Sequence, residues 1–370
     1  MSRRYIIAGG GTGGHIFPAL AIAQAIGRTE PQAEILFVGA KGKMEMEKVP
    51  EAGYRIEGLD IAGFNRSSLI KNVGLPLKLV KSVWQVRQIL QRFRPHAVLG
   101  VGGYSTFPVL LVAQWKGIPT FIHEANSYAG KANRLLGKKA TKVFTATDGM
   151  EAFFPPGRIC ITGNPVREAI TGTPLPQEAA RSFFGLQPHR STLLVVGGSL
   201  GARSINAAVD AGLDRLLESG LQVIWQTGKL YAGQARQRCA GKSGVWVSDF
   251  IGQMDQAYAA ADIIVSRAGA MSIAEICVVA KPAVLVPFPF AAEDHQTVNA
   301  RHLVHKGAAL LVRDADAATQ LVPTVVALSK DAEAQEKMRE QLRPLGIRNA
   351  AETVVTEMQA SLQQINKTEQ

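Results

Sequence analysis

The chain has 370 residues, a length for two to three domains that each close a core, with 46% hydrophobic and 19% charged residues. That composition excludes a disordered, collagen-like or coiled-coil protein, and Cys160, Cys239 and Cys277 are too scattered for a disulfide framework or a cysteine zinc site. The net charge of +11 is uneven: up to Gly163 there are 21 Lys and Arg against 10 Asp and Glu, and from Asn164 onward 20 against 20.

Met1 to Arg4 runs straight into an apolar strand, Tyr5–Ala8, so no secretory leader is expected. Gly9–Gly14 then forms a glycine loop, and Ile16, Leu20, Ala23 and Ile26 recur at helical spacing up to Arg28. A second strand, Ile35–Val38, follows Pro31, which completes a βαβ unit. Glycines 9, 11 and 14 satisfy the GxGxxG spacing, whose backbone N–H groups and helix N-terminus suit a phosphate. A NAD site wants an acid after the second strand, where this chain has Gly39-Ala40-Lys41; an NADP enzyme using Lys41 or Lys43 stays open. His15 opens the helix, where the dipole disfavours imidazolium; it reads as a general base or as a donor to phosphate.

No acid occurs between Asp60 and Glu124, while Arg66, Lys71, Lys78, Lys81, Arg87, Arg92, Arg94 and Lys116 do, which points to an anionic partner. From Pro76 a helix carries Lys78, Lys81, Gln85, Gln88 and Arg92 on one stripe, with Leu79, Val80, Val83, Trp84, Val86 and Leu90 on the others. It reads either as a basic amphipathic helix on a membrane surface, with Leu69–Leu77 dipping into headgroups, or as core packing. The uncharged stretch Pro95–Trp115 has the length of a membrane span, but its Gly100, Gly102, Gly103, Tyr104, Ser105, Thr106 and Pro108 indicate strand, loop and helix start instead. That second glycine loop suggests a ligand with more than one phosphate, or two ligands. Further on, Phe121-Ile122 ends in His123-Glu124-Ala125-Asn126, with Glu124 either an acid or base in a basic cleft or a loop carboxylate paired with a cation.

Turn residues at Ile161–Pro165 mark a boundary, giving domains 1–163 and 164–340 followed by a helix and tail, 341–370. The second domain repeats the first: strand Ser191–Val196, loop Gly197–Ala202 with Ser199, and a helix from Ser204, with further strands at Leu221–Trp225, Val245–Val247, Ile263–Val265 and Ala283–Val286. Ser266–Glu275 runs from a strand end through Gly269 into a helix, where Glu275 suits ribose hydroxyls and Arg267 a phosphate. The cluster Glu293–Asn299 includes Gln296, whose amide suits sugar hydroxyls. The DxD spacing of Asp314 and Asp316 lies in a turn and is discounted as a metal site. Ala332–Gln363 is helical with a break at Pro344 and Gly346, and its last helix is drawn crossing back to the first domain. The fold class is α/β with two Rossmann-like parallel-sheet domains.

Together the His15 loop, Gly102-Gly103-Tyr104, His123-Glu124, Gly163–Arg167, the Gly197 loop, Ser266–Glu275 and the Gln296 cluster resemble the bacterial cell-wall N-acetylglucosaminyltransferases of GT-B fold, over nearly the whole chain. Ala125 and His295 depart from that pattern, in which glutamines are common. The resemblance implies two domains facing a cleft and inverting transfer of N-acetylglucosamine from UDP-N-acetylglucosamine. The acceptor would be the 4-hydroxyl of undecaprenyl-pyrophosphoryl-MurNAc-pentapeptide, lipid I, giving lipid II for peptidoglycan. It implies no required cofactor or metal, no nucleic acid, a peripheral place on the cytoplasmic face of the plasma membrane against an anionic surface, and contact with cell-wall synthesis complexes.

By position, Thr12, Gly13, Gly14, Asn126, Arg167, Ser199, Ile251, Ala270, Met271, Ser272, Ile273, Ala274, Glu275 and Gln296 would line the donor, with Ser199 on the phosphates, Glu275 on the ribose and Gln296 on the sugar. Gly11, Gly102, Gly103, Tyr104 and Ser105 would meet the acceptor, and His15 or Glu124 would be the base. Another GT-B enzyme, such as a diacylglycerol glucosyltransferase, is the nearest alternative, and an NADP-dependent oxidoreductase a more distant one.

Overall fold

The alternation of apolar runs and amphipathic stretches resolves into two parallel sheets in the computed structural model, which describes residues 2–61, 75–291 and 294–368. The chain divides into unit 1, Met1–Arg167 with Asn349–Gln370, and unit 2, Glu168–Arg348.

Unit 1 holds β1 (Arg4–Ala8), β2 (Glu34–Ala40), β3 (Arg55–Leu59), β4 (Ala97–Gly100), β5 (Thr120–Glu124), β6 (Lys142–Thr145) and β7 (Ile159–Ile161). Their order across the sheet is β3-β2-β1-β4-β5-β6-β7, all parallel. Helices cover both faces of such a sheet, so its central strands are apolar throughout: Ile6, Ile7, Val98, Leu99, Phe121 and Ile122 are fully buried. The helices that matter for the site are α1 (Gly13–Thr29), α2 (Glu45–Glu51), α3 (Leu75–Phe93) and α4 (Thr106–Trp115). The strand order reverses between β1 and β4, the switch point outside whose carboxyl ends open α/β sheets bind ligands.

Unit 2 repeats the plan with β8 (Thr192–Val196), β9 (Gln222–Gln226), β10 (Val245–Ser248), β11 (Ile263–Ser266), β12 (Ala283–Leu285) and β13 (Leu310–Leu311), in the order β10-β9-β8-β11-β12-β13. Its switch point lies between β8 and β11. The buried Trp225 fills its core and donates its indole N–H to Asn206 Oδ1 at 3.1 Å.

Helix α3 splits its apolar residues between core and surface. Val86, Ile89 and Leu90 are buried in unit 1, whereas Leu77, Val80 and Trp84, one turn apart, are 77%, 70% and 59% exposed. Its cations are not all alike: Lys81 pairs with Asp60 at 2.9 Å and Arg92 with Glu57, while Lys78 and Arg87 have no ion pair among the described residues. Residues 69–74 of the Leu69–Leu77 run, with Arg66 and Lys71, lie outside the described residues. Among the described residues no helix is long and apolar enough to cross a membrane.

The chain bends at Arg343–Leu345, and the helix Ala350–Thr368 belongs to unit 1, where it packs on α1. Its Val354, Val355, Met358 and Leu362 complete the cluster that holds Ile16, Ile22 and Ile26. Met358→Ala should therefore cost about 2–5 kcal/mol in the transition of unit 1, through lost burial and the cavity left behind, read as a lowered first or second calorimetric peak. An unchanged thermogram would show that this helix does not stabilise unit 1.

Candidate functional site

In unit 1 the loops following β1 and β4 meet. Gly10 donates its N–H to Gly102 O at 3.2 Å, and the ring of Tyr104 lies beside Gly11. The contact requires glycine: Gly103 has φ +92°, and a Cβ there would overlap the backbone of Gly10. A Cβ on Gly102, φ +100°, would come within 2.5 Å of His15 Cδ2 and 2.7 Å of Nε2. Thr106 closes the second loop by donating its hydroxyl to Ala8 O and Gly102 O at 3.0 and 2.9 Å.

His15 stands in the first turn of α1, which begins at Gly13 rather than at His15. Its Nδ1 lies 3.0 Å from Gly10 O, an acceptor only, so Nδ1 carries the proton and Nε2, against Gly102, is the acceptor nitrogen. Burial lowers its pKa below the ordinary imidazole value of 6.5; the Gly10 hydrogen bond and the charges of Glu124 and Glu45 oppose that shift without cancelling it. Such a group is neutral near pH 7 and able to take a proton.

Glu124 has different surroundings. It is buried at the end of β5 and, among the described residues, is paired with neither Arg nor Lys. Oε1 accepts from the backbone and side-chain N–H groups of Asn126 at 3.2 and 3.4 Å, and Oε2 from Gly130 N at 3.1 Å and Asn133 Nδ2 at 2.9 Å. Both oxygens thus hold the loop after β5. His123 is buried beside it, with Nε2 3.4 Å from Gly163 O and its pKa pushed by burial down to about 4. Arg167, at the end of unit 1, lays its guanidinium 4.3 Å from the Phe17 ring centroid.

In unit 2 the loop Gly197–Ala202 precedes the helix Arg203–Glu218, with Ser199 partly exposed in it. Gln226 ties this loop to a second segment: its Nε2 donates to Gly198 O at 3.0 Å and its Oε1 accepts from Ile251 N at 2.9 Å. The helix Ala270–Val279 starts after Gly269, so the N–H groups of Ala270, Met271 and Ser272 lie in its first turn, where an anion is favoured. Ile273 and Ala274 follow, partly buried, and Glu275 is buried, accepting from the Tyr258 hydroxyl at 2.8 Å. Gln296 opens the helix His295–His305 and spends its Oε1 on Phe288 N at 3.0 Å, so its amide presents donors. Glu293 lies outside the described residues.

Arg267 departs from the phosphate role that its position suggests. It donates to Asp314 at 2.5 Å, to Val286 O and Pro287 O at 3.0 and 3.1 Å, and to Ser204 Oγ at 3.1 Å, which commits it to the interior. Asp314 is thereby taken up as its partner and Asp316 pairs with Arg313 at 2.6 Å. Among the described residues no group of three or more His, Cys, Asp or Glu is placed to hold a metal ion. Glu45, Asn133, Gln226 and Tyr258 carry site contacts that no motif announces.

Against known proteins, residues 5–145 match the glycosyltransferase family 28 N-terminal domain and residues 192–354 the family 28 C-terminal domain. A protein of Parabacteroides distasonis is 50% identical over 96% of this chain and 97% of its own length, and one of Phocaeicola vulgatus 51% identical over 96% and 95%. Both are named UDP-N-acetylglucosamine–N-acetylmuramyl-(pentapeptide) pyrophosphoryl-undecaprenol N-acetylglucosamine transferase. Among solved structures, Acinetobacter baumannii MurG is similar with a TM-score of 0.74 at 28% identity, covering 97% of this chain and 99% of that one.

The geometry of His15 is directly measurable. Ring ¹⁵N spectra should show the Nδ1–H tautomer at pH 7 and a titration midpoint below 6.5. A midpoint above that value, or the Nε2–H form, would refute the assignment.

Proposed function

The chain belongs to glycosyltransferase family 28, and on that premise we propose that it moves N-acetylglucosamine from UDP-N-acetylglucosamine to the 4-hydroxyl of the muramyl sugar of undecaprenyl-pyrophosphoryl-MurNAc-pentapeptide, forming lipid II. The observation that carries the reading is identity of about half, across nearly the whole chain, to transferases named for that donor and acceptor. The residues then supply roles.

In this reading His15 is the base. Its Nε2 lone pair lies beside the Gly102-Gly103 loop, whereas both oxygens of Glu124 accept from Asn126, Gly130 and Asn133 of the segment that follows β5. Nε2 takes the proton of the acceptor hydroxyl as its oxygen attacks the anomeric carbon; the bond from that carbon to the diphosphate breaks, and its electron pair leaves with UDP. Inversion follows from the single displacement. The departing charge is met by N–H groups at the start of the helix Ala270–Val279 and by the Ser199 loop, with no cofactor invoked. Glu275, oriented by Tyr258, accepts the ribose hydroxyls, and the Gln296 amide donates to the sugar.

With labelled donor and a lipid I analogue, His15→Ala should lower kcat by about 10²–10⁴-fold at nearly unchanged donor KM. Glu275→Ala should instead raise the donor KM. The base must be neutral to act, so the acid limb of kcat/KM should fall below pH 6.5, following the lowered His15 pKa. No labelled disaccharide product from the wild-type enzyme would defeat the reading as a whole.

The lipid-linked acceptor calls for a membrane surface, and the outer face of α3 fits one. Leu77, Val80 and Trp84 are exposed beside Lys78 and Arg87, and Trp115, ending the neighbouring α4, is 63% exposed. Each cation near an anionic leaflet adds about 1 kcal/mol, so Lys78→Glu with Arg87→Glu should sharply reduce flotation with anionic vesicles. Trp84→Ala should weaken binding even at high salt. Flotation that survives all three changes would place the membrane contact elsewhere.

A further inference from the structure

Glu45 is a buried carboxylate in α2, 1% exposed, on no motif. Its Oε2 accepts from Gly11 N at 2.8 Å and its Oε1 from Ala40 N at 3.0 Å, and among the described residues it has no ion pair. Two glycines make room for it: a Cβ at Gly10 would overlap the carboxylate, and one at Gly39 would come within 2.5 Å of its Cγ. Burying a carboxylate away from any cation costs several kcal/mol before its hydrogen bonds offset it, so the position calls for an explanation.

The explanation lies in which peptide it grips. The N–H of Gly11 and the carbonyl of Gly10 belong to one planar unit. Glu45 accepts from the nitrogen side of that unit, and His15 Nδ1–H donates to its oxygen side at 3.0 Å. A carboxylate drawing on the N–H polarises the peptide and strengthens its oxygen as an acceptor. We infer that Glu45 is a positioning residue for His15: carboxylate, Gly10–Gly11 peptide and imidazole form one relay that holds the Nδ1–H tautomer, keeps Nε2 facing the acceptor, and stabilises the imidazolium formed when Nε2 takes a proton. This rests on His15 being the base. It assigns to a peptide the place that a direct carboxylate–imidazole contact fills in hydrolase triads. The other titratable groups facing His15 are Glu124 and His123, both on β5.

The relay is tested by Glu45→Gln and Glu45→Asp, with ring ¹⁵N spectra of His15 and kinetics of the full-length enzyme. Glu45→Gln removes the charge and sets an amide against one of the two N–H groups. It should lower the His15 midpoint, admit the Nε2–H tautomer and reduce kcat on the order of tenfold or more, with donor KM within about twofold. Glu45→Asp keeps the charge and should recover part of both. A His15 midpoint and tautomer unchanged in Glu45→Gln, whatever happens to the melting temperature, would reduce Glu45 to a structural prop and overturn the proposal. A second measurement needs no variant: in the ¹⁵N-glycine-labelled wild-type protein, the Gly11 amide resonance should titrate with the His15 midpoint. A Gly11 resonance that stays flat while His15 titrates would equally overturn it. If His15→Ala keeps its kcat, the base reading fails by itself, and the spectra still report whether the relay exists.

Discussion

The site of unit 1 depends on one close approach, between the backbone after β1 and the backbone after β4. Neighbouring parallel strands deliver their ends about 4.8 Å apart; a side chain at Gly103 would force the loops apart, and one at Gly10 would run into the Glu45 carboxylate. Because those positions are bare, the Gly10 N–H reaches Gly102 O, and the Gly10 carbonyl is left to aim at His15. The imidazole then lies against Gly102, in space that a Cβ there would take. The orientation of His15 thus depends on glycines as much as on its own side chain.

Unit 2 meets the same constraint at Gly201 and Gly228, each lacking room for a Cβ against the other's loop, but puts it to a different use. There the loops are fixed by Gln226, and Arg267, just past the end of β11, is turned inward onto Asp314. The helix starts there also present N–H groups, which favour an anion without a formal charge nearby. The cationic excess lies in unit 1, and part of it is internally balanced: Lys41 and Lys81 both grip Asp60, whose carboxyl they hold down at about 2.

Much of the architecture was legible because buried parallel strands are apolar on both faces. Tyr5–Ala8, Ser191–Val196 and Ile263–Val265 announce themselves, and glycines directly follow the first two and mark their ends. The edge strand β3 did not, since Arg55 and Glu57 face solvent on a strand paired on one side only. The glycine loops and His15 were readable from spacing. The groups that decide their chemistry were not, because those contacts join residues far apart in the chain: Glu45 meets Gly11 across 34 positions, and Arg267 meets Asp314 across 47. A residue's type suggests what it can bind; only the fold says whether something else has bound it first. Glu124 illustrates the point, being suited by type to acid–base work and engaged by geometry in holding a loop.

The helix Ala350–Thr368 makes unit 2 an insertion within unit 1, entered at Glu168 and left at Arg348. On a ribosome, the face of α1 that carries Ile16, Ile22 and Ile26 is made before unit 2, and the residues that cover it, Val354 to Leu362, after unit 2. Unit 2 is complete in the nascent chain before unit 1 can be, so the half bearing His15 closes its core last. Until then an apolar strip stays open, and the newborn chain needs either speed or a chaperone to keep it from the wrong partner.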